Sequence, residues 1–228
     1  MKTITKLSSL IVLALVLLLT ASDVTKAQEV EVSAGVDFVS TYVFRGVAYD
    51  GPAWQPSVEL ATGSFSIGAW GSQGYTGAQE MDLYAGYSFD FGLYLGLTDY
   101  YYPGTNFFDF TEDAAAGDAS SHAFEINAGY GKDAFSIAAN YIVNEASGAG
   151  SAGGDMYFEL GYSLSAADVF IGAGDGWHST TGDFALVNIG VTASKDIVIT
   201  DSFTIPFFGS AILNPDSEQF YILAGFSF

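Results

Sequence analysis

The feature that most constrains this chain is a two-residue alternation of apolar and polar side chains that keeps returning along its length. In residues 30–44 the even positions read Val30, Val32, Ala34, Val36, Phe38, Ser40, Tyr42 and Phe44. The odd positions read Glu31, Ser33, Gly35, Asp37, Val39, Thr41 and Val43, and Arg45 follows. In "EMDLYAGYSFDF" (80–91), Met81, Leu83, Ala85, Tyr87, Phe89 and Phe91 alternate with Glu80, Asp82, Tyr84, Gly86, Ser88 and Asp90. In "DMYFELGYSL" (155–164), Met156, Phe158, Leu160 and Tyr162 alternate with Asp155, Tyr157, Glu159 and Gly161. Successive side chains of a strand point to opposite faces, so each segment reads as a strand with one greasy face and one charged face. Twelve segments fit: 30–48, 54–62, 64–72, 80–90, 92–102, 121–131, 134–143, 155–164, 168–175, 183–194, 198–212 and 219–228. The ninth and eleventh are the least regular. Pro206 removes a ladder donor and predicts a bulge or a shorter strand there.

The connections carry a second signal. "TG" (62–63), "DFG" (90–92), "GKDA" (131–134) and "SAA" (165–167) are tight. They alternate with longer polar pieces at 50–53, 72–79, 103–121, 144–154, 175–182 and 214–218; "KDIVITD" (195–201) is a partial exception on the short side, and 50–53 and 214–218 are short for the outer one. An outer-membrane barrel has short turns at its periplasmic rim and long loops at the other. In hydrocarbon every backbone N–H and C=O must be paired, which a sheet achieves only by closing on itself. The predicted fold is therefore all-β: a transmembrane antiparallel up-and-down β-barrel of about 12 strands, with both termini periplasmic. A soluble sandwich or barrel would also alternate. The strength of the apolar face and the final aromatic, Phe228, favour the membrane.

Residues 1–27 read as an export signal: Lys2 and Lys6, then the apolar core 10–19, then "TKA" before Gln28. Ten apolar residues are too few for a membrane helix, which needs about 20. The barrel is then expected to occupy 28–228, in the outer membrane of a Gram-negative bacterium. The chain has no cysteine, which excludes a lipid anchor, disulfides and thiol catalysis. Its 26 acidic and 6 basic residues give a net charge of −20, which excludes nucleic acid as a partner. Disorder is excluded over most of the chain, because half of its residues are apolar.

Two stretches carry resemblances. The terminal "FYILAGFSF" is similar to the C-terminal signature of outer-membrane barrels, which implies that Phe226 and Phe228 are read by the barrel-assembly machinery. "STYVFRGVAYDGPAWQPSVEL" (40–60) resembles the N-terminal motif of the TorF family, porin-like outer-membrane β-barrel proteins of unknown function. That pattern, Ser-x-Tyr-x-Phe-Arg-Gly, a short loop, then Pro-Ala-x-Gln, is met by Ser40, Tyr42, Phe44, Arg45, Gly46, Pro52, Ala53 and Gln55. The chain departs from it with Pro56 and Ser57 where the family often has glycines, and its loop is shorter. "DYYYPG" (99–104) also looks like the family's Tyr-Pro-Gly stretch. The resemblance implies a channel.

Arg45 is the one arginine in the chain. By parity it shares the polar face with Asp37 and Thr41, which points it into the lumen. A lipid-facing arginine would cost about 2–4 kcal/mol at the midplane. Pairing across the 50–53 turn would bring it near Gln55, Ser57 and Glu59. Two roles stay open: a fixed cation at the narrow part of an acidic pore, or an ion pair to Glu59, Asp37, Glu125 or Glu159 that braces the wall. The brace is favoured. The acidic face, Asp37, Glu59, Asp82, Glu125 and Glu159, would give a channel cation preference, or would simply hydrate a polar lumen.

The loop acids Asp109, Glu112, Asp113 and Asp118 do not have calcium-loop spacing. They are expected to meet divalent cations at the lipopolysaccharide surface rather than to form a metal site. Trp54, Trp70, Trp177, Tyr49, Tyr100, Tyr101 and Tyr102 are expected at the outer rim. Phe65, Phe89, Phe91, Phe135 and Phe203 are expected at the inner one, as aromatic girdles. Sugar stacking is the alternative for the tyrosine run. His122 and His178 have serine neighbours, but no catalytic motif surrounds them, so neither an enzyme nor a cofactor is expected. The expected function is passive diffusion of small hydrophilic solutes, preferring cations, with a closed structural or adhesive barrel as the alternative. Expected partners are outer-membrane lipid and lipopolysaccharide, the assembly machinery, and small solutes or divalent cations.

Overall fold

The alternation is the whole of the architecture. The structure, a computed structural model, describes residues 29–113 and 118–228, and the export segment 1–27 lies outside them. Of the unit Met1–Val30 only Glu29 and Val30 are described. The unit Glu31–Phe228 is a closed barrel. Its strands in chain order are β1 (Glu31–Val39), β2 (Tyr42–Phe44), β3 (Val47–Asp50), β4 (Ala53–Thr62), β5 (Phe65–Gly74), β6 (Gln79–Ser88), β7 (Leu93–Tyr101), β8 (Glu112–Asp113) and β9 (Asp118–Ala119). They continue with β10 (His122–Lys132), β11 (Phe135–Ile142), β12 (Met156–Ser163), β13 (Asp168–Gly174), β14 (Ala185–Thr200), β15 (Phe203–Asn214) and β16 (Gln219–Ser227). β2 pairs with β3 and β8 with β9; the other twelve form the wall. All wall pairings are antiparallel.

β1 closes the ring. It pairs with β4 from Glu31↔Ala61 to Val39↔Ala53, and with β16 over Asp37, Phe38 and Val39. Ser40 extends this seam: its N–H donates to the Ala224 carbonyl at 2.8 Å, and its Oγ accepts the Ala224 N–H at 3.0 Å.

The barrel is inside-out relative to a soluble protein. Trp54, Val58, Leu60, Ile67, Leu83, Leu95, Ile126, Phe158 and Leu160 are exposed on the exterior. Gln55, Ser72, Glu80, Asp82, Glu125, Asn140 and Asn188 are buried on the interior. A continuous apolar exterior of this extent is not found on monomeric soluble proteins. Two-residue turns link Thr62↔Phe65, Lys132↔Phe135 and Thr200↔Phe203 at one end. Gly63 and Asp133 supply the positive φ (58° and 56°) that such turns require. Tyr101, Ile142 and Gly174, from which the longer connections leave, all lie at the other end.

Three expectations are corrected. The tenth strand does not stop at 194 with a connection over 195–201: β14 runs on to Thr200, and a two-residue turn leads to Phe203. The first strand does not run over 30–48: it stops at Val39, and β2 and β3 form a separate hairpin. That hairpin is itself a two-stranded ribbon with period two, so its alternation continues that of β1 without a break. At Pro206 there is neither a bulge nor a shortened strand. β15 runs through it, the irregularity falls at Val198/Thr200, and the ladder to β16 begins only at Phe207. Pro206 thus sits where β15 is paired on one side, the position where a missing donor costs least.

Candidate functional site: a hairpin folded into the barrel

The β2–β3 hairpin turns at Arg45 and Gly46, between the paired residues Phe44 and Val47. Both turn residues have positive φ, 51° and 82°. That is the mirror-image turn whose twist suits a two-residue hairpin. Arginine rarely takes this conformation, and here its side chain is held from outside the turn. Gly46 is required on two counts: its φ, and the Val187 carbonyl, into which a Cβ would collide. Asn214 Nδ2 donates to the Gly46 carbonyl at 2.9 Å and ties the tip to β15.

Arg45 reaches across the interior to Glu125 on β10. Its two terminal nitrogens meet the two carboxylate oxygens at 2.6 and 2.9 Å. The guanidinium also lies over the rings of Phe44 (4.6 Å) and Tyr157 (4.7 Å). Glu125 is fully buried and accepts two further donors, the Tyr100 hydroxyl at 2.9 Å and Asn127 Nδ2 at 2.6 Å. A bidentate pair whose carboxylate accepts four donors in all is the arrangement in which a buried ion pair offsets its own desolvation.

The hairpin's flanks are fixed as well. The Tyr42 hydroxyl donates to Glu80 at 2.8 Å, and the Tyr102 hydroxyl donates to the other Glu80 oxygen at 3.2 Å. Tyr42 packs on Tyr49 and Trp70, and Phe44 on Tyr49 and Tyr100. At the base, Asp50 accepts the Thr76 hydroxyl at 2.7 Å and the Thr76 N–H at 3.2 Å. These bonds, with one from Gly51 N–H, hold the Asp50 carboxyl below the usual range. Above, Phe44, Tyr102 and Trp177 pack on a small apolar cluster of Tyr100, Ala123, Ile142 and Ala146. The hairpin therefore touches β5, β6, β7, β10, β12, β14 and β15, and stands across the lumen at the long-loop end.

Arg45 is interior, as expected, but it sits at a hairpin tip rather than on a wall strand. Of its four candidate partners the structure selects Glu125. Asp37 instead lies opposite Gln55 and Ser227. Glu59 lies opposite Ser33 and beside Tyr84. Glu159 accepts Asn188 Nδ2 at 3.0 Å and the Tyr157 hydroxyl. Asp82 lies between Trp70 and Tyr100 in cross-strand register. Phe226 and Phe228 are on the exterior, packed against Phe38 and, for Phe228, also against Phe203.

The outer girdle is corrected. Tyr49 belongs to the hairpin itself, and Trp70, Tyr100 and Trp177 pack around it inside the barrel, so their contacts are already used. Tyr101 is covered, donating its hydroxyl to the Thr105 carbonyl at 2.8 Å, which leaves the tyrosine run no open face for a sugar. Trp54 is exposed on the exterior, as are Phe91, Phe135 and Phe203 at the short-turn end. Of the loop acids, Asp109 bonds Thr111; the side chains of 112, 113 and 118 lie outside the described residues.

The sequence reading missed Glu80, although it shares parity with Asp82. It also left the two histidines without a role. His122 Nδ1 meets Asp99 at 2.9 Å and Nε2 meets the Phe107 carbonyl at 2.7 Å, beneath Phe110, so this histidine anchors the 102–121 segment. His178 Nε2 accepts the Trp177 indole N–H at 2.8 Å. Burial, then the nearby Arg45 charge, push its pKa down to about 3.

Comparison with known proteins gives no activity. No curated protein matches the chain. A mutant of Rhodopseudomonas blastica porin is similar at 17% identity, over 89% of this chain and 74% of that one, with a TM-score of 0.45. A triple mutant of the same porin is similar at 14% identity, over 88% of this chain and 99% of that one, with a TM-score of 0.35. The barrel assignment rests on this chain's own strand pairing. A family model described as "bacterial protein of unknown function (Gcw_chp)" matches residues 23–204, and that description, not the TorF name, is the one the match carries. With most of its length matched by that model, the chain belongs to the Gcw_chp family of bacterial proteins of unknown function.

Proposed function

We propose that the protein is a porin-like channel of the outer membrane that passes small hydrophilic solutes, prefers cations, and is narrowed by its own hairpin. One observation carries this reading. The interior face bears Asp37, Glu59, Glu80, Asp82, Glu125 and Glu159, while its arginine, Arg45, is already neutralised by Glu125. Fixed carboxylates along a narrow path lower the energy of a cation and raise that of an anion. The apolar exterior supports a lipid surround, with export through residues 1–27 and assembly through Phe226 and Phe228 as the matching expectations. The throat lies where the hairpin crosses the lumen, so passage would be set there rather than by the wall.

Planar-bilayer recording tests this. The expected result is small discrete conductance steps whose reversal potential in a salt gradient shifts toward the cation. Replacing residues 42–50 by a short Gly-Ser link should enlarge the steps several-fold. The apolar packing of Phe44, Tyr102 and Trp177 above the throat favours the second reading, a closed structural or adhesive barrel. Silence from both folded proteins would establish that reading and discard the channel.

A further inference from the structure

Beneath the hairpin the lumen holds a cavity of ≈460 Å³, lined among others by Tyr42, Phe44, Trp70, Asp82, Tyr84 and Tyr100. We propose that this cavity is a binding site for a small organic ammonium cation, with Asp82 as its counter-charge and the surrounding rings as its cage. The inference deepens the channel reading and rests on it only for the ligand's passage, not for its binding.

Three observations support the site. First, Asp82 is only 8% exposed, and its Oδ1 has no hydrogen-bond partner. A buried carboxylate without a partner holds its proton unless a cation is brought to it, so a bound cation would take the proton's place. Second, no basic side chain of the described residues serves it. Arg45 is committed to Glu125, Lys132 and Lys195 are exposed on β10 and β14, and His122 faces Asp99. The neighbouring Glu80, two residues away on the same face, has only the two phenolic donors Tyr42 and Tyr102. Third, the cross-strand neighbours of Asp82 are both aromatic, Trp70 and Tyr100. Aromatic faces carry negative potential, and a carboxylate among them is the arrangement that recognises alkylammonium groups.

The chemistry discriminates against other ligands. A bare divalent ion needs six or more oxygen ligands, and no group of three or more acidic or histidine side chains among the described residues could hold a metal. The cavity volume falls within the small-molecule range of about 300–1,000 Å³. A neutral sugar would find the cavity's amides already engaged: Thr98 donates to Asn127, and Asn127 donates to Glu125 and Asn140.

The test is calorimetric titration of the folded barrel in detergent with choline, and with the neutral choline analogue in which carbon replaces nitrogen. Choline should bind at least about tenfold more tightly than the analogue. Asp82→Asn should remove that preference, whereas Asp109→Asn, in an exposed loop, should keep it. Equal binding of the two probes, or an unchanged preference in Asp82→Asn, would overturn the proposal. Should Asp82→Asn fail to fold, the two-probe comparison on the parent and the loss of binding in Trp70→Leu decide the matter. Because the titration uses no membrane, a silent barrel that binds choline would discard the channel and keep this site. A conducting barrel that ignores choline would do the reverse.

Discussion

Arg45→Met is the substitution that most directly tests how the throat is held. It keeps length and apolar bulk but removes the fork that grips Glu125. Glu125 would then remain fully buried with only the Tyr100 hydroxyl and Asn127 amide as donors. Removing one partner of a buried ion pair costs about 3–5 kcal/mol. That lowers the ratio of hairpin-in to hairpin-out states by about two to three and a half orders of magnitude. The folded form should lose heat resistance on a semi-native gel, and a cysteine placed at Ala48 should become reactive toward a soluble thiol reagent. Arg45→Lys should recover part of the loss, because a point charge replaces the charge but not the bidentate geometry. Combining Arg45→Met with Glu125→Gln should cost less than the sum of the two single changes, since the pair then leaves no uncompensated charge. If Arg45→Met matches the parent in both assays, and the combined variant shows no coupling, the pair is not the brace. The hairpin would then be held by Tyr42, Asn214 and its apolar packing.

Three further outcomes are expected. Gly46→Ala should displace the hairpin as strongly as Arg45→Met, because the added carbon meets the Val187 carbonyl and the φ of 82° disfavours it; a matching rise in Ala48→Cys reactivity checks this. Acidification should loosen the mouth. The folded pKa of His178, about 3, lies below the ordinary 6.5, so the opened state binds the proton first and stability falls as pH drops through that window. The depressed Asp50 carboxyl acts with the same sign. The protection factors of segment 175–182, that is, exchange corrected for its intrinsic slowing in acid, should fall between neutral and about pH 4, and His178→Gln should flatten that response. Finally, cysteines introduced singly at Gly150 and Lys132 should separate on intact cells, with an impermeant reagent labelling the first and not the second. The opposite pattern would reverse the orientation.

The two faces of the wall strands were readable because each strand announces them locally. Leu83 and Asp82 diverge whatever the rest of the chain does, and the two-residue turns are fixed by Gly63 and Asp133. The hairpin was not readable by parity, because Tyr42 and Phe44 continue the alternation of β1 while pointing somewhere else. A signal did exist. Arg45–Gly46 sits where a mirror-image turn wants positive φ, and the residues matched to the TorF-like motif, except Gln55 on the wall strand β4, fall on this hairpin and its junctions with the wall.

The amino-acid sequence alone thus determined which side of each wall strand is apolar, how many strands the wall has, and that a lone guanidinium must lie inside among carboxylates. These follow from the alternation of Cβ directions along an extended backbone and from the cost of a charge in hydrocarbon. Only the tertiary structure decided that Arg45 stands at the end of an inward hairpin and that Glu125, 80 residues away, is its partner rather than Asp37, Glu59 or Glu159. That choice depends on the depth of the hairpin and on which strand faces it across the closed ring. Ring closure brings together residues from opposite walls, and such distances leave no trace in the local pattern of either strand.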